Sequence, residues 1–178
     1  MIPNDEQSQL LSVRETEIRK LKEEIQLEAA LEKVRVASMA MHKTEELAMV
    51  SSVVYEELNR LGITNFQSCG FHIIDEQNEI QNVWNFHIDH KQLTRFQMPL
   101  KGNDILEVRY KAWKKGEKLF YQKVGGQQLN ANLEYITVKE ITLGKAASWI
   151  EKYGFPDPVH FHFANFSMGY LHVISEHE

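Results

Sequence analysis

Thiols, prolines and long apolar runs are all scarce in this chain. Cys69 is the one cysteine among 178 residues. An internal disulfide is therefore excluded, and a reducing compartment, the cytoplasm, is the expected setting. The longest comparable apolar run, Val36 to Met41, is interrupted by Ser38, whereas a membrane span needs about 20 consecutive apolar residues. The first residues, Met1-Ile2-Pro3-Asn4-Asp5-Glu6, lack the basic and apolar regions of a secretory signal. No basic excess exists either. Twenty Lys and Arg stand against 25 Asp and Glu, a formal charge of −5. Without a positive field, nucleic acid and anionic membrane surfaces are not expected partners. With 43% apolar and 25% charged residues, the composition is that of a soluble globular protein. The length suits one substantial domain with an appendage.

Residues 5 to 42 contain no Gly or Pro and are dense in Glu, Lys, Arg, Leu and Ala, which are good helix formers. Ile18, Leu21 and Ile25 recur at spacings of three and four, the pattern of a coiled-coil seam. Continuing that heptad places Glu28 and Glu32 in the seam. The apolar stripe moves instead to Leu27, Leu31, Val34, Ser38 and Met41, so the helix changes face near residue 26. The expected organisation is a projecting helix over 1–26 and a globular body over 27–178. Ile18, Leu21, Ile25, Leu27, Leu31 and Val34 are the expected contacts of a parallel homodimer.

Thr44 is the expected N-cap of a second helix, whose buried stripe is Leu47, Val50, Val54, Leu58 and Leu61, with Gly62 as its stop. The period then changes to two. Asn65 to Ile74 and Glu79 to Ile88 read as strands around Asp75-Glu76-Gln77-Asn78, and Gln92 to Gln97 as a third. Asn103 or Asp104 caps a short helix carrying Ile105, Leu106, Val108, Tyr110 and Trp113. Lys118 to Val124 reads as a strand. Leu129 to Glu140 and Thr142 to Tyr153 read as helices, the latter stopped by Gly154 and Pro156. Val159 to Asn165 and Gly169 to Ser175 form a closing hairpin around Phe166-Ser167-Met168. The class is α+β, an antiparallel sheet flanked by helices.

Two stretches resemble a known family. Leu27-Glu28-Ala29-Ala30-Leu31-Glu32-Lys33-Val34-Arg35, then Met39-Ala40-Met41-His42-Lys43 and Glu45-Glu46-Leu47, resembles the opening of GAF-like domains of bacterial hybrid sensor kinases and related two-component proteins. Gly154-Phe155-Pro156 and Phe161-His162-Phe163-Ala164-Asn165-Phe166-Ser167-Met168-Gly169-Tyr170-Leu171 resembles the end of such a domain, and Cys69-Gly70-Phe71 matches as well. The resemblance runs from about residue 27 to 175. It implies a GAF-type sheet acting as a regulatory input within a longer receptor, with an output domain as partner. The helix that usually follows the last strand in that family has no counterpart before Glu178. The family's ligands are mostly unassigned, so no binding residues carry over.

Each residue with chemistry has a plainer reading beside the functional one. His42 is followed by Lys43-Thr44-Glu45-Glu46-Leu47 rather than by the acid, base and proline of a phosphoacceptor helix. No ATP-binding segment follows, so it reads as a helix-end residue. Cys69 alternates with Phe71 and Ile73 and has no cationic neighbour to lower its pKa, so it reads as a packing residue. Gly125-Gly126 lacks the remainder of a phosphate loop, and Ser167 lacks the glycine of a nucleophile elbow.

The histidines are the more informative group. His160 and His162 alternate along one strand and share a face. With Val159, Phe161, Phe163, Leu171 and Val173 expected under the helices, His160, His162, Tyr170 and His172 are expected to face the other way, joined by His72. Trp84, Phe86, Trp113 and Tyr121 are the expected aromatic walls of a small-molecule cavity on that side. The reading is a non-catalytic sensory module without cofactor or metal. Its alternatives are a structural dimerisation module with a filled cavity and a metal-dependent enzyme using the histidine-lined face. Because the nucleotide-positioning machinery is missing, incubation with labelled ATP and magnesium is expected to leave His42 unmodified; acid-labile phosphate on it is the contrary result.

Overall fold

The computed structural model describes residues 4–40, 46–87, 92–139 and 145–177. Met41, His42 and Thr44 lie outside the described residues. The chain is α+β, with a long N-terminal helix and a six-stranded antiparallel sheet flanked by helices. Helix α1 spans Asn4–Met39 and α2 Leu47–Arg60. Strands β1 Phe66–Asp75, β2 Ile80–His87 and β3 Gln92–Pro99 follow, then α3 Asp104–Lys114, β4 Leu119–Val124, α4 Gly126–Lys139 and α5 Lys145–Tyr153. The hairpin of β5 Val159–Phe166 and β6 Gly169–Ser175 closes the sheet, whose order is β3-β2-β1-β6-β5-β4. Among the described residues no helix is long and apolar enough to cross a membrane.

Local chemistry explains several boundaries. Asn103 caps α3 by accepting the Leu106 N–H at 2.9 Å, satisfying a donor that has no partner within the helix. At the end of α2, Gly62 takes φ +82°. Its N–H bonds Asn59 O at 2.9 Å and that of Ile63 bonds Leu58 O at 2.9 Å, the paired bonds of a Schellman stop. Asp157 accepts the Gly126 N–H at 2.8 Å and ties the start of α4 to the segment before β5.

The sheet is covered on both sides. On one side, Val54 of α2 packs with Phe66 and Cys69 of β1, joined by Val34 of α1 and by Leu58, Phe71, Leu171 and Val173. Glu57, 6% exposed, locks the two helices together. It accepts from Lys33 Nζ of α1 and from Arg60 Nε, both at 2.6 Å. These bonds, that from Lys33 first, hold its carboxyl below the usual carboxylate range. On the other side, α3, α4 and α5 contribute Leu106, Ile136 and Ala146 to a core with Val83, Phe96 and Met98. Ile105 and Leu129 pack there with Val159, Phe161, Phe163, Tyr170 and Ile174.

Among the described residues, the first half of α1 is exposed. Ile18, Leu21 and Ile25 are 52%, 56% and 68% exposed. Body contacts begin where Arg60 donates to Gln26 O and Ala30 is buried. Leu27 and Leu31 are exposed. Val34, expected in the dimer seam with them, packs instead into this chain's own core. The inward face of α1's second half runs through Ala30, Val34 and Ala37, at spacings of four and three.

At the centre of the sheet, β1 lies between β2 and β6. Gly70 pairs there with Asn85 on one neighbour and His172 on the other. A Cβ at Gly70 would stand 1.9 Å from the Trp84 carbonyl oxygen, an overlap that only a shift of two strands relieves. Gly70→Ala is therefore expected to lower the unfolding free energy by about 2 kcal/mol or more in urea titration. An unchanged midpoint would show that the strands can give way.

Candidate functional site

Alternation in β1 sends Gly70, His72 and Ile74 to the face under α3–α5, and Cys69, Phe71 and Ile73 to the face under α1 and α2. Pairing carries the same division across the sheet. His72 lies opposite Val83 and Tyr170, and Gly70 opposite Asn85 and His172. Phe161 and Phe163 lie opposite Ile174 and His172. The α3–α5 face thus carries His72, Asn85, Phe161, Phe163, Tyr170 and His172.

This division corrects the expected composition of the site. Of the anticipated residues, His72, Tyr170 and His172 come together. His160, His162 and Tyr121 lie on the opposite face, since His162 pairs with Val173 and Tyr121. Tyr121 OH and His160 Nδ1 are 2.6 Å apart, and His162 Nε2 is 3.1 Å from Ser175 Oγ. Trp84 and Phe86 pair with Phe71 and Cys69 and so lie on that opposite face too. Phe86 meets Tyr55 of α2 at 5.0 Å, and Arg95 covers the Trp84 ring at 5.0 Å. Trp113 is on α3, but its indole donates to Phe166 O at 2.8 Å at the hairpin end and is not a cavity wall. Phe161 and Phe163, expected to share a face with Leu171 and Val173, do not. The β5–β6 connection has two residues, Ser167 and Met168, between paired Phe166 and Gly169. Odd positions of β5 therefore oppose even positions of β6. A three-residue turn would have given the opposite parity, and a one-residue change moves every side chain to the other face.

The cavity itself lies between the α3–α5 helices and the sheet. It measures about 60 Å³, room for about two waters or a molecule of a few heavy atoms. Most of its wall is apolar, including Phe96, Met98, Ile136 and Ile150, with His72, Asn85, Arg109 and His172 as polar members.

These polar groups form a connected set. Gln81 Oε1 accepts from Tyr170 OH and bonds His72 Nδ1 at 2.7 Å, while its Nε2 donates to Pro99 O at 2.8 Å. The His72 ring stacks on Tyr170 at 4.6 Å and meets His172 edge-on at 4.8 Å. His172 Nε2 reaches Asn85 Oδ1 at 2.9 Å, spanning β1 at the position where Gly70 has no side chain. With that oxygen as acceptor, His172 carries its proton on Nε2, and the buried Nδ1 has no partner. Burial pushes the His72 imidazole down to about 3 and the His172 imidazole well below the usual range. Both rings are neutral at physiological pH.

Arg109 is the residue that sequence reasoning missed. It is 5% exposed, with Nε donating to Gln122 Oε1 at 2.7 Å. Its guanidinium lies 4.1 Å from the Phe161 ring centre and 4.9 Å from that of Phe163. Nη2 is buried and has no hydrogen-bond partner among the described residues. Burial lowers the guanidinium pKa to about 10, which still leaves it charged at neutral pH. The available signal was helical spacing. Arg109 follows Ile105 by four residues and precedes Ala112 by three, inside the apolar stripe of α3.

Burial also pushes the Cys69 thiol up to about 12, which keeps it protonated and unreactive. Among the described residues, no three His, Cys, Asp or Glu side chains come together as a metal site. Comparison with protein families, curated proteins and solved structures finds no match for the chain.

The buried imidazoles set a pH dependence. Their folded pKa lies below the unfolded 6.5, so between these values the unfolded chain binds more protons than the folded one. Stability is complete above pH 6.5 and falls as pH drops toward 3, by up to about 1.4 kcal/mol per pH unit for each ring. Urea titrations from pH 7 to 5, above the carboxylate range, are expected to show this slope, and His72→Gln is expected to reduce it. A flat profile in that window would mean that the rings are charged, or are solvated in the folded state.

Proposed function

We propose that the chain is a non-catalytic sensory module of GAF type, of the kind found in bacterial two-component signalling proteins. It binds a small molecule between α3–α5 and the sheet, and α1 pairs with that of a second copy to transmit the state of the cavity to an output domain. The observation that carries this reading is the cavity, where apolar walls surround two buried polar atoms, His172 Nδ1 and Arg109 Nη2, that have no partner among the described residues. A ligand supplies what they lack. The family resemblance of residues 27 to 175 and the observed α+β architecture support the same reading, and the exposed Ile18, Leu21 and Ile25 support helix pairing.

On this reading the sheet joins the two parts. Its α3–α5 face contacts the ligand, and its other face carries α2, to which Glu57 ties α1. A ligand biases the paired helices only as far as it binds one arrangement better than the other.

Two experiments test the reading. Sedimentation at tens of micromolar, a range in which modest coiled coils associate, is expected to give a dimer, and Leu21→Glu with Ile25→Glu a folded monomer. A monomeric unmodified chain would refute the pairing. A thermal-shift screen of fragments of about four to six heavy atoms, neutral and charged, is expected to yield stabilising members. Ala146→Leu, which fills the cavity from α5, is expected to abolish their effect with the dimer intact. Fragments that stabilise both forms equally would place binding elsewhere.

A further inference from the structure

We propose that the cavity takes a small organic anion, one carboxylate on a compact apolar body, with Arg109 as its charge partner. The inference rests on the small-molecule reading and narrows it to a ligand class.

A guanidinium taken out of water needs an anion or a full set of acceptors. Arg109 is 95% buried by its exposure of 5%, and among the described residues it forms no ion pair. Its one side-chain acceptor is the neutral amide of Gln122, at Nε. The titratable groups nearest it are His72 and His172 on the sheet and Tyr170 beside them, and none supplies negative charge at neutral pH. From α4, Asn132 lines the same space as a neutral amide. Phe161 and Phe163 stabilise the cation through their ring faces, but this interaction is worth about 2 kcal/mol when desolvated. The desolvation of a lone charge costs several times more. The cavity therefore holds one positive charge that no described residue compensates.

The remaining walls decide the rest of the ligand. Phe96, Met98, Ile136 and Ile150 offer contact and no hydrogen bonds, so the body beyond the anionic group is hydrocarbon or aromatic. At about 60 Å³, well under the roughly 150 Å³ of a cavity that takes benzene, the cavity admits a body of one or two carbons. A single cation selects a single negative charge. The planar guanidinium matches a carboxylate with two parallel bonds.

The test compares acetate with its neutral isostere acetamide by calorimetry on the full chain, with Arg109→Met as the variant. Methionine fills similar apolar volume and removes the buried charge, so the variant is expected to melt no lower than the unmodified protein. Acetate is expected to bind at least tenfold more tightly than acetamide, and Arg109→Met to abolish that preference. Equal affinities in the unmodified protein would overturn the anion while leaving a small-molecule site in place. Binding of neither probe, nor of any neutral fragment, would overturn the site as well. A packing role for Arg109 alone predicts a large melting decrease in the variant and no charge preference in the unmodified chain, which also overturns the proposal. The preference of the unmodified protein decides the matter even if the variant fails to fold.

Discussion

A strand covered on both faces has no solvent to receive its polar side chains, so each must find a partner inside the protein. β1 is such a strand, third of six and flanked by β2 and β6. Its odd positions, Cys69 and Phe71, meet that demand by being apolar and packing with the α2 core. Gly70 and His72 meet it through chemistry. His72 bonds Gln81, and Gly70 leaves room for Asn85 and His172 to meet across the strand. The cavity walls are arranged around this line. An apolar residue at position 72 would leave Gln81 and Tyr170 sharing one bond, and a side chain at position 70 would collide with the β2 backbone.

Much of the fold was legible in the sequence because it was written in local rules. Asn103 announces α3 and Gly62 ends α2, each satisfying backbone groups within a few residues of itself. The strands follow from alternation and the helices from their apolar spacing. Which strand face meets which was less legible. Facing depends on whether a connection holds an even or odd number of residues, and Phe166-Ser167-Met168 read as the turn instead of Ser167-Met168 reverses it. His72 and Trp84 could be separated by the same arithmetic. They are both even-numbered, and the pairing of Asp75 with Ile80 makes even positions of β1 oppose odd positions of β2. The four-residue turn expected from the sequence has the same parity, but its consequence for Trp84 and Phe86 was not carried across. Val34 was misplaced for a different reason. α1 carries one apolar stripe that stays exposed and another that packs on the body, and spacing alone does not distinguish them.

Arg109 shows how a binding residue hides in a pattern. Searching for histidine pairs and aromatic walls favours residue types that look functional, whereas an arginine on an amphipathic helix looks like part of a solvated face. Its place between Ile105 and Ala112 contradicts that default, because a charge inside a buried stripe must be compensated or used. Here its nearest neighbours are two phenyl rings and an amide.

The charge state of the cavity follows from a competition in which burial decides the outcome. His72, His172 and Arg109 are all basic groups around one small volume, and each positive charge raises the cost of the next. The imidazoles need little free energy to stay neutral at physiological pH, since even in water they titrate near 6.5. The guanidinium, lowered by burial only to about 10, remains charged. Arg109 thus claims the one positive charge that the site can hold, and its presence helps to keep the two rings neutral. Neutral rings can offer both donor and acceptor nitrogens, which lets Gln81 and Asn85 fix their orientations. A fixed hydrogen-bonding wall beside one cation is therefore a single electrostatic arrangement. An anion entering beside Arg109 would weaken its repulsion of the imidazoles and raise their pKa, linking ligand charge to proton uptake.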